Sequence, residues 1–195
     1  MTGVRPRFLR SAPYLSAFPE LNVRTYVVAN GRPGVWFFSL DAANVAAVKI
    51  ARWTYHLSYY HARMSCTERD GWILYKSRRL RPAQPEARFD GRYRSLGEVY
   101  TTEAGSLERW WTERYSLYAA DRRDDVFRAD VDHCPWPLQR AEAGIEANTM
   151  VEAMGLRLPA DAPALHFSCR VDVIAGRVVR EPAGRSRDSR RHSRR

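Results

Sequence analysis

Lysine is almost missing from this chain. Lys49 and Lys76 are its two lysines, and all the other basic residues among the 32 are arginines. An enzyme that forms an imine with a carbonyl substrate needs a lysine amine. The sequence therefore offers two candidates for such a mechanism and no more.

Cysteine motifs and glycine-rich loops are also scarce. The three cysteines, Cys66, Cys134 and Cys169, are odd in number and lack CxxC spacing, which argues against a disulfide framework or a structural zinc site. Residues 31–34, Gly-Arg-Pro-Gly, are typical of a hairpin and not of a phosphate-binding loop. No short metal-ligand spacing joins His56, His61, His133 and His166. We expect neither a metal nor a cofactor.

Long hydrophobic runs are absent as well. No run reaches the length of a membrane span, and residues 1–7 contain no apolar signal core. We therefore expect a cytoplasmic protein without membrane contact.

The composition is that of a folded domain followed by a basic tail. The chain has 195 residues, of which 45% are hydrophobic, with six tryptophans, enough for one domain with a substantial core. Most of the net charge of +10 belongs to residues 177–195, which contain eight arginines and two acidic residues, Glu181 and Asp188. We predict a single domain over 1–176 and a disordered Arg/Ser-rich tail over 177–195.

Alternation of apolar and polar residues predicts a chain made mostly of strands. Strands are predicted over residues 21–29, 35–40, 57–67, 72–77, 86–93, 114–120, 126–132, 141–147 and 165–174. Short helices are predicted over 45–53 and 106–111, with one or two helical turns over 148–155. This pattern favours an α+β domain, predominantly antiparallel and barrel-like, of a kind that often encloses a ligand cavity.

The segment 57–67 predicts a strand with two chemically different faces. Tyr59, His61 and Arg63 lie on one face by period-2 spacing, and Tyr60 and Ala62 lie on the other, which belongs in a core. A phenol, an imidazole and a guanidinium on one face can bind a polar anionic ligand.

A second polar face lies on the first predicted strand. Glu20, Asn22, Arg24 and Tyr26 share it by the same spacing. If both faces point into one cavity, Arg24 can bind a carboxylate or phosphate bidentately. Glu20, Tyr59 or His61 are then the candidates for acid–base catalysis. The alternative is that these faces are solvated or form a structural ion-pair network.

Three further polar residues are candidates for ligand binding, and each has a structural alternative. Glu113 and Arg114 form either a structural pair or a ligand clamp. His133, before Cys-Pro-Trp-Pro, either stabilises that turn or reaches the cavity rim. His166 also lies on a polar strand face, but the sequence does not decide between a functional and a structural role for it. The full set of ligand-binding candidates is Arg24, Tyr60, Arg63, Glu113, Arg114 and His133.

Several motifs recur in the order found in a known family. Residues 18–26, 34–42 and 59–64 read Phe-Pro-Glu-Leu-Asn-Val-Arg-Thr-Tyr, Gly-Val-Trp-Phe-Phe-Ser-Leu-Asp-Ala and Tyr-Tyr-His-Ala-Arg-Met. Residues 112–115 and 133–139 read Thr-Glu-Arg-Tyr and His-Cys-Pro-Trp-Pro-Leu-Gln. Together they resemble the uncharacterised YqjF-like bacterial proteins over about residues 18–175. Those proteins are usually longer at the N-terminus, which implies that one or two opening strands are missing here, through a misplaced start or a real truncation.

The YqjF-like proteins resemble acetoacetate decarboxylases in fold, which implies a cone-like β-barrel around a central cavity. Those decarboxylases use a lysine Schiff base, and a neighbouring lysine lowers the pKa of the amine. Tyr59 and Tyr60 stand here in place of that lysine pair, and a phenol cannot form an imine. Lys49 lies about ten residues earlier and does not match the motif, whereas Glu20 is implied to keep the decarboxylases' acidic position.

Two classes of function remain open. The first is the binding or transformation of a small anionic or carbonyl metabolite, such as a keto acid, in an internal polar cavity and without Schiff-base chemistry. The second is a non-enzymatic binding protein whose basic tail contacts an acidic partner or nucleic acid. Contact between such a tail and nucleic acid would be non-specific and strongly salt-dependent.

Overall fold

The computed structural model describes residues 18–80, 86–121 and 123–182, which form ten strands and two α-helices. The first half of the chain contains β1 (Glu20–Ala29), β2 (Arg32–Ala42), α1 (Val45–Tyr55), β3 (Tyr59–Arg69), β4 (Trp72–Arg79) and β5 (Arg88–Tyr100). The second half contains α2 (Leu107–Thr112), β6 (Ser116–Ala120), β7 (Val126–His133), β8 (Leu138–Asn148), a 3-10 turn (Glu152–Met154), β9 (His166–Phe167) and β10 (Val173–Arg180).

Strand β2 is the point at which the sheet forks. Antiparallel pairing with β1 occupies one edge of β2 along its whole length. The other edge pairs in parallel with β6 at residues 35–36 and with β3 at residues 40–42. One branch continues from β3 through β4, β5 and β8 to β9, and the other continues from β6 through β7 to β10.

The far ends of the two branches are held close together by the chain itself. The outermost strands, β9 and β10, are consecutive, and residues 168–172 connect them. Because the Cα atoms of Phe167 and Val173 are six residues apart, they lie within about 20 Å of each other. The branches therefore form two walls that meet at β2 and approach each other again at their ends.

The mostly-strand architecture with few helices is confirmed, but the predicted antiparallel barrel is not. The sheet is mixed, because β2 pairs in parallel with both β3 and β6. Within the described residues its edges are also open, since β9 and β10 pair with β8 and β7 and not with each other. Parallel pairing requires a crossover connection, and α1 supplies it between β2 and β3.

The prediction of one closing strand over residues 165–174 is wrong. The alternating pattern belongs to two strands on opposite edges of the sheet, β9 against β8 and β10 against β7. The predicted boundary at 176 is also too early, because β10 continues to Arg180. Val178 pairs with Ala129, and Glu181 accepts a hydrogen bond from Arg128 at 2.6 Å, which together hold this segment on the sheet. The rest of the predicted tail, residues 183–195, lies outside the described residues.

Short-range signals in the sequence account for the turns. Both Asn30-Gly31 and Asp70-Gly71 have positive φ at each residue, 50° and 77° in the first turn and 52° and 75° in the second. Two-residue hairpin loops need this backbone conformation, which favours Asn-Gly and Asp-Gly.

A glycine allows β6 to approach β2 closely. A Cβ atom on Gly34 would lie 2.5 Å from the carbonyl oxygen of Ser116 and 2.6 Å from the ring of Tyr118. Both separations are too short for any larger side chain. This glycine is therefore a steric requirement of the fork.

The apolar core lies where α1 covers the fork. Phe18, Ala42 and Val48 pack together with Tyr59. A second cluster unites Leu40, Leu57 and Ala119, drawn from β2, the end of the α1 crossover and β6. Burial of these side chains therefore ties both branches to the crossover.

A buried ion pair links β2 to β4 across β3. Arg79 donates from Nε and Nη2 to the two carboxylate oxygens of Asp41, at 2.8 and 3.1 Å. The two side chains are 2% and 0% exposed, and the guanidinium carbon lies 3.7 Å from the centre of the Tyr60 ring. Burial raises the pKa of Asp41, and the bonds from Arg79 oppose that rise.

No helix among the described residues has the length and apolar character needed to cross a membrane.

We expect Arg79→Met to lower the free energy of unfolding by about 3–5 kcal/mol, because it leaves the Asp41 carboxylate buried without its partner. Urea denaturation at neutral pH measures this loss. Arg78→Met is the matched control, since Arg78 and Glu86 form an exposed pair (69% and 56%) whose loss costs about 1 kcal/mol or less. Equal losses in the two variants would contradict a structural role for the buried pair.

Candidate functional site

Glu20 and Tyr59 meet across β2. In the register, Glu20 stands opposite Ala42 and Tyr59 stands opposite Leu40, so both side chains project from the same face. The Tyr59 hydroxyl donates a hydrogen bond to Glu20 Oε2 at 2.8 Å. The sequence predicted these two residues on separate strands, and the structure brings them into contact.

The surroundings of this pair favour the neutral form of each group. Burial raises the pKa of Glu20, while hydrogen bonds from Tyr59 and Asn22 partly oppose that rise. Burial also raises the pKa of Tyr59, and the neighbouring Glu20 carboxylate raises it further. The phenol therefore keeps its proton at neutral pH, and the carboxyl group exchanges its proton at a higher pH than an ordinary glutamate. Such a pair can donate or accept a proton, but it contains no amine.

Tyr60 projects from the opposite face of β3. Its ring stacks against Arg79, which is bound to Asp41, and Arg52 of α1 lies 5.6 Å from the ring centre. The structure therefore places Tyr60 beside the buried ion pair and away from Glu20 and Tyr59.

His61 and Arg63 follow Tyr59 on its face of β3 but are not brought to Glu20. His61 is half-buried, and the structure records no side-chain hydrogen bond from it to another described residue. Arg63 is exposed and stands in register with Arg78 of β4, which in turn stands in register with Arg88 of β5. Arg63 thus belongs to a basic row on the exposed sheet surface.

Two arginines flank an aromatic pair near the middle of β1. The rings of Tyr26 and Trp110 are 4.7 Å apart between centres. The guanidinium carbon of Arg114 lies 4.2 Å from the centre of Trp110, and that of Arg24 lies 5.8 Å from the centre of Tyr26. The guanidinium carbon of Arg114 also lies 5.8 Å from the centre of the Tyr26 ring, so the two arginines that the sequence predicted as candidates lie beside the same ring.

Arg114 is incompletely hydrogen-bonded. Its Nη1 donates to the carbonyl oxygen of Glu113 at 3.0 Å, but Nε and Nη2 are buried without a hydrogen-bond partner among the described residues. Burial lowers the pKa of this guanidinium. Unpaired buried donors are costly, so Arg114 leaves an electropositive spot beside Tyr26.

Glu113 and His133 lie beside Arg114 and are both in contact with Tyr115. The Glu113 carboxylate accepts a short hydrogen bond from the Tyr115 hydroxyl, which raises the pKa of Tyr115 to about 12. The His133 ring stacks on the Tyr115 ring with 4.6 Å between the ring centres, and His133 Nδ1 lies 2.9 Å from the carbonyl oxygen of Cys134. Of the two roles that the sequence left open for His133, these contacts favour stabilisation of the turn over a position at the cavity rim.

A cavity of about 410 Å³ opens between β1, α2 and β9. Its walls are formed by Arg24, Tyr26, Glu108, Trp111, Thr112, Trp136, Leu138, Ala164, His166, Phe167 and Ser168. Its volume falls in the range of small-molecule sites. Among the predicted site residues only Arg24 lines this cavity. Glu20 lies four residues earlier on β1, where it is bound to Tyr59 of β3.

Sequence reasoning missed the main polar group of the cavity, which is formed by Glu108 and His166. His166 Nε2 lies 2.9 Å from Glu108 Oε1, and Arg140 Nη1 donates to the same oxygen at 2.8 Å. The bond to His166 is the main cause of a lowered pKa of Glu108. Alternation marked His166 as polar-facing, but Glu108 has the ordinary pattern of an acidic residue in the first turn of a helix. Because the two residues are 58 positions apart, no local sequence pattern could indicate that they are in contact.

Known proteins resemble this chain in sequence and in fold. The family described as "Uncharacterized conserved protein", DUF2071, matches residues 1–172. The "Uncharacterized protein YqjF" of Bacillus subtilis is 43% identical over 174 residues, covering 89% of this chain and 71% of that protein.

Two solved structures of acetoacetate decarboxylase have a similar fold. The enzyme from Legionella pneumophila has a TM-score of 0.55 at 10% identity, covering 84% of this chain and 67% of its own. A second acetoacetate decarboxylase has a TM-score of 0.56 at 11% identity, covering 86% and 69%. These matches confirm the resemblance drawn from the sequence motifs, and at such low identity the likeness to the decarboxylases concerns the fold alone.

We expect Tyr59→Phe to lower the free energy of unfolding by about 1–3 kcal/mol at pH 8, because the ionised, half-buried Glu20 carboxylate loses its hydrogen-bond donor. At about pH 4, where a glutamate is largely protonated, the loss should be smaller, since a neutral carboxyl group is less costly to bury. Urea denaturation at both pH values measures the difference. In a Glu20→Gln background the pH dependence of the Tyr59→Phe effect should disappear, and an equal loss at both pH values without that background would contradict the coupling.

Proposed function

Because this chain belongs to the DUF2071 family of uncharacterized conserved proteins and shares its fold with acetoacetate decarboxylase, we propose that it binds a small carboxylate or carbonyl-bearing anion and acts on it by proton transfer. No imine with a lysine is part of this chemistry. The ligand lies in the cavity between β1, α2 and β9.

The observation that carries the proposal is the hydrogen bond between Tyr59 and Glu20. A half-buried carboxyl group with a raised pKa beside a protonated phenol is a typical proton-transfer arrangement. By resemblance, Tyr59 also follows the helix at the place where the decarboxylases keep their lysine pair. His61, two residues further along the same face, is a second candidate for the proton transfer.

The two arginines beside Tyr26, Arg24 and Arg114, supply the affinity for an anion. Arg24 lines the cavity, and its guanidinium can donate two parallel hydrogen bonds to a carboxylate. Arg114, whose Nε and Nη2 have no hydrogen-bond partner among the described residues, raises the positive potential beside it. The rings of Tyr26, Trp111 and Phe167 offer an apolar surface for the body of the ligand.

The positions of the two lysines support a mechanism without an imine. Lys49 is exposed on α1. Lys76 is 59% exposed and binds Asp90 at 3.0 Å. Neither side chain lines the cavity or contacts Glu20 or Tyr59. An amine that forms an imine must reach the substrate and lose its proton, and these positions favour neither.

We expect Arg24→Gln to weaken the binding of small 2-oxo and 3-oxo carboxylates, such as phenylpyruvate and acetoacetate, by about tenfold or more. A hydrogen bond to a charged group contributes about 1.5–3 kcal/mol, and 1.4 kcal/mol corresponds to a factor of ten. Isothermal titration calorimetry measures the affinity, with uncharged acetone as the matched ligand. Arg170→Gln is the control variant, because Arg170 is 79% exposed and binds Asp172. Unchanged affinity in Arg24→Gln would remove Arg24 from the site.

We expect borohydride to trap no covalent adduct when the protein is incubated with acetoacetate, because no lysine reaches the site. Intact-protein mass spectrometry measures the adduct, with a lysine-dependent acetoacetate decarboxylase as the positive control. A reduced adduct on Lys49 or Lys76 would contradict the mechanism, and peptide mapping would identify which lysine had reacted.

A further inference from the structure

Glu108 is the centre of a polar network in the wall of the cavity opposite β1. One carboxylate oxygen, Oε1, accepts from Arg140 at 2.8 Å and from the Tyr100 hydroxyl at 3.3 Å, and it lies 2.9 Å from His166 Nε2. The His166 side chain is 17% exposed, whereas that of Arg140 is 66% exposed. Of the two basic side chains bound to Glu108, His166 is therefore the one held inside the protein, and it lines the cavity.

The contact with Glu108 determines which nitrogen of His166 carries the proton. Neutral imidazole has one N–H donor and one lone-pair acceptor. A carboxylate only accepts hydrogen bonds, so its contact with Nε2 places the proton there and leaves the lone pair on Nδ1. No hydrogen bond from Nδ1 to another described residue is present, and this lone pair is therefore open to a ligand.

The other walls of the cavity indicate the chemical class of that ligand. Arg24 is the cation of the lining, and Tyr26, Trp111 and Phe167 form apolar surface. Two polar atoms of lining residues, Trp136 Nε1 and Ser168 Oγ, are buried without a hydrogen-bond partner among the described residues. A ligand with a carboxylate, a second oxygen and an apolar side chain matches this combination of groups.

We propose that His166 accepts a proton from the carbon next to the carbonyl group of a 2-oxo carboxylate with an apolar side chain, and that Glu108 is the residue that positions it. This inference rests on the proposed function and names the ligand class and a proton-transfer group that itself lines the cavity. The lone pair on Nδ1 takes the proton, the electrons of the C–H bond form a C=C bond, and the carbonyl electrons move to oxygen to give the enolate. Return of the proton to the same carbon completes the step without a co-reactant.

Phenylpyruvate in D₂O tests the proposal. Its benzylic protons should exchange for deuterium faster with the protein than without it, as followed by loss of their ¹H NMR signal. His166→Gln should slow the protein-dependent exchange by about 100-fold or more, which is the usual contribution of a general base. The affinity of His166→Gln for phenylpyruvate, measured by calorimetry, should differ from that of the unaltered protein by less than about threefold. The control variant, Arg170→Gln, should exchange and bind phenylpyruvate as the unaltered protein does.

Two further measurements separate positioning from catalysis. The ¹⁵N NMR shifts of the His166 ring in the unaltered protein should show the neutral form with its proton on Nε2. Glu108→Ala should give a mixture of the two forms and slow exchange, whereas Glu108→Gln, whose amide oxygen still accepts from Nε2, should restore part of the rate.

Each contrary result has a distinct meaning. A proton on Nδ1 in the unaltered protein overturns the assignment of His166 without any substitution. Retained binding with unchanged exchange in His166→Gln overturns this inference and leaves the proposed function intact. Failure of the unaltered protein to bind phenylpyruvate overturns the ligand class named here, and failure to bind every carboxylate tested overturns the proposed function as well.

Discussion

A β-strand has two edges, and β2 uses its two edges for three neighbours. Because β1 occupies one edge completely, β3 and β6 must share the other, and the sheet divides into two branches. The closeness of β6 at this fork depends on the missing side chain of Gly34, and α1 covers the same region with the apolar core. The cavity, the crossover helix and the approach of β9 to β10 all follow from that single shared edge.

The fork also separates two polar clusters that neighbouring residues of β3 supply. Tyr60 faces the ion pair of Asp41 and Arg79, whose charges neutralise each other in a closed, buried contact. Tyr59 faces Glu20, which forms no ion pair with another described residue and whose pKa is raised by burial. The ion pair of Asp41 and Arg79 links strands, whereas the Glu20 carboxyl group, with its raised pKa, is suited to exchanging protons. Two adjacent tyrosines thus serve different purposes because the strand period is two.

Local patterns allowed the first part of this structure to be predicted, and long-range contacts explain where prediction failed. The strands of β1 and β3, the turn at Asp70-Gly71 and the shared face of Tyr59 and His61 follow from period-two spacing and turn chemistry. Alternation could not show that residues 165–174 belong to two edges, since an edge is defined by its partner strand. The contact between Glu108 and His166 was missed for the same reason, because it depends on how α2 and β9 are placed in the fold.

The short connection between β9 and β10 has a consequence for the order in which the protein is made. Synthesis proceeds from the N-terminus, so β1 through β8 can emerge and pair before residues 166–168 exist. One wall of the cavity, with His166, Phe167 and Ser168, is thus among the last parts of the described chain to be synthesised. A nascent chain therefore completes the wall of the proposed ligand site only when the two branches are tied together, and binding at that site would require that the whole sheet has folded.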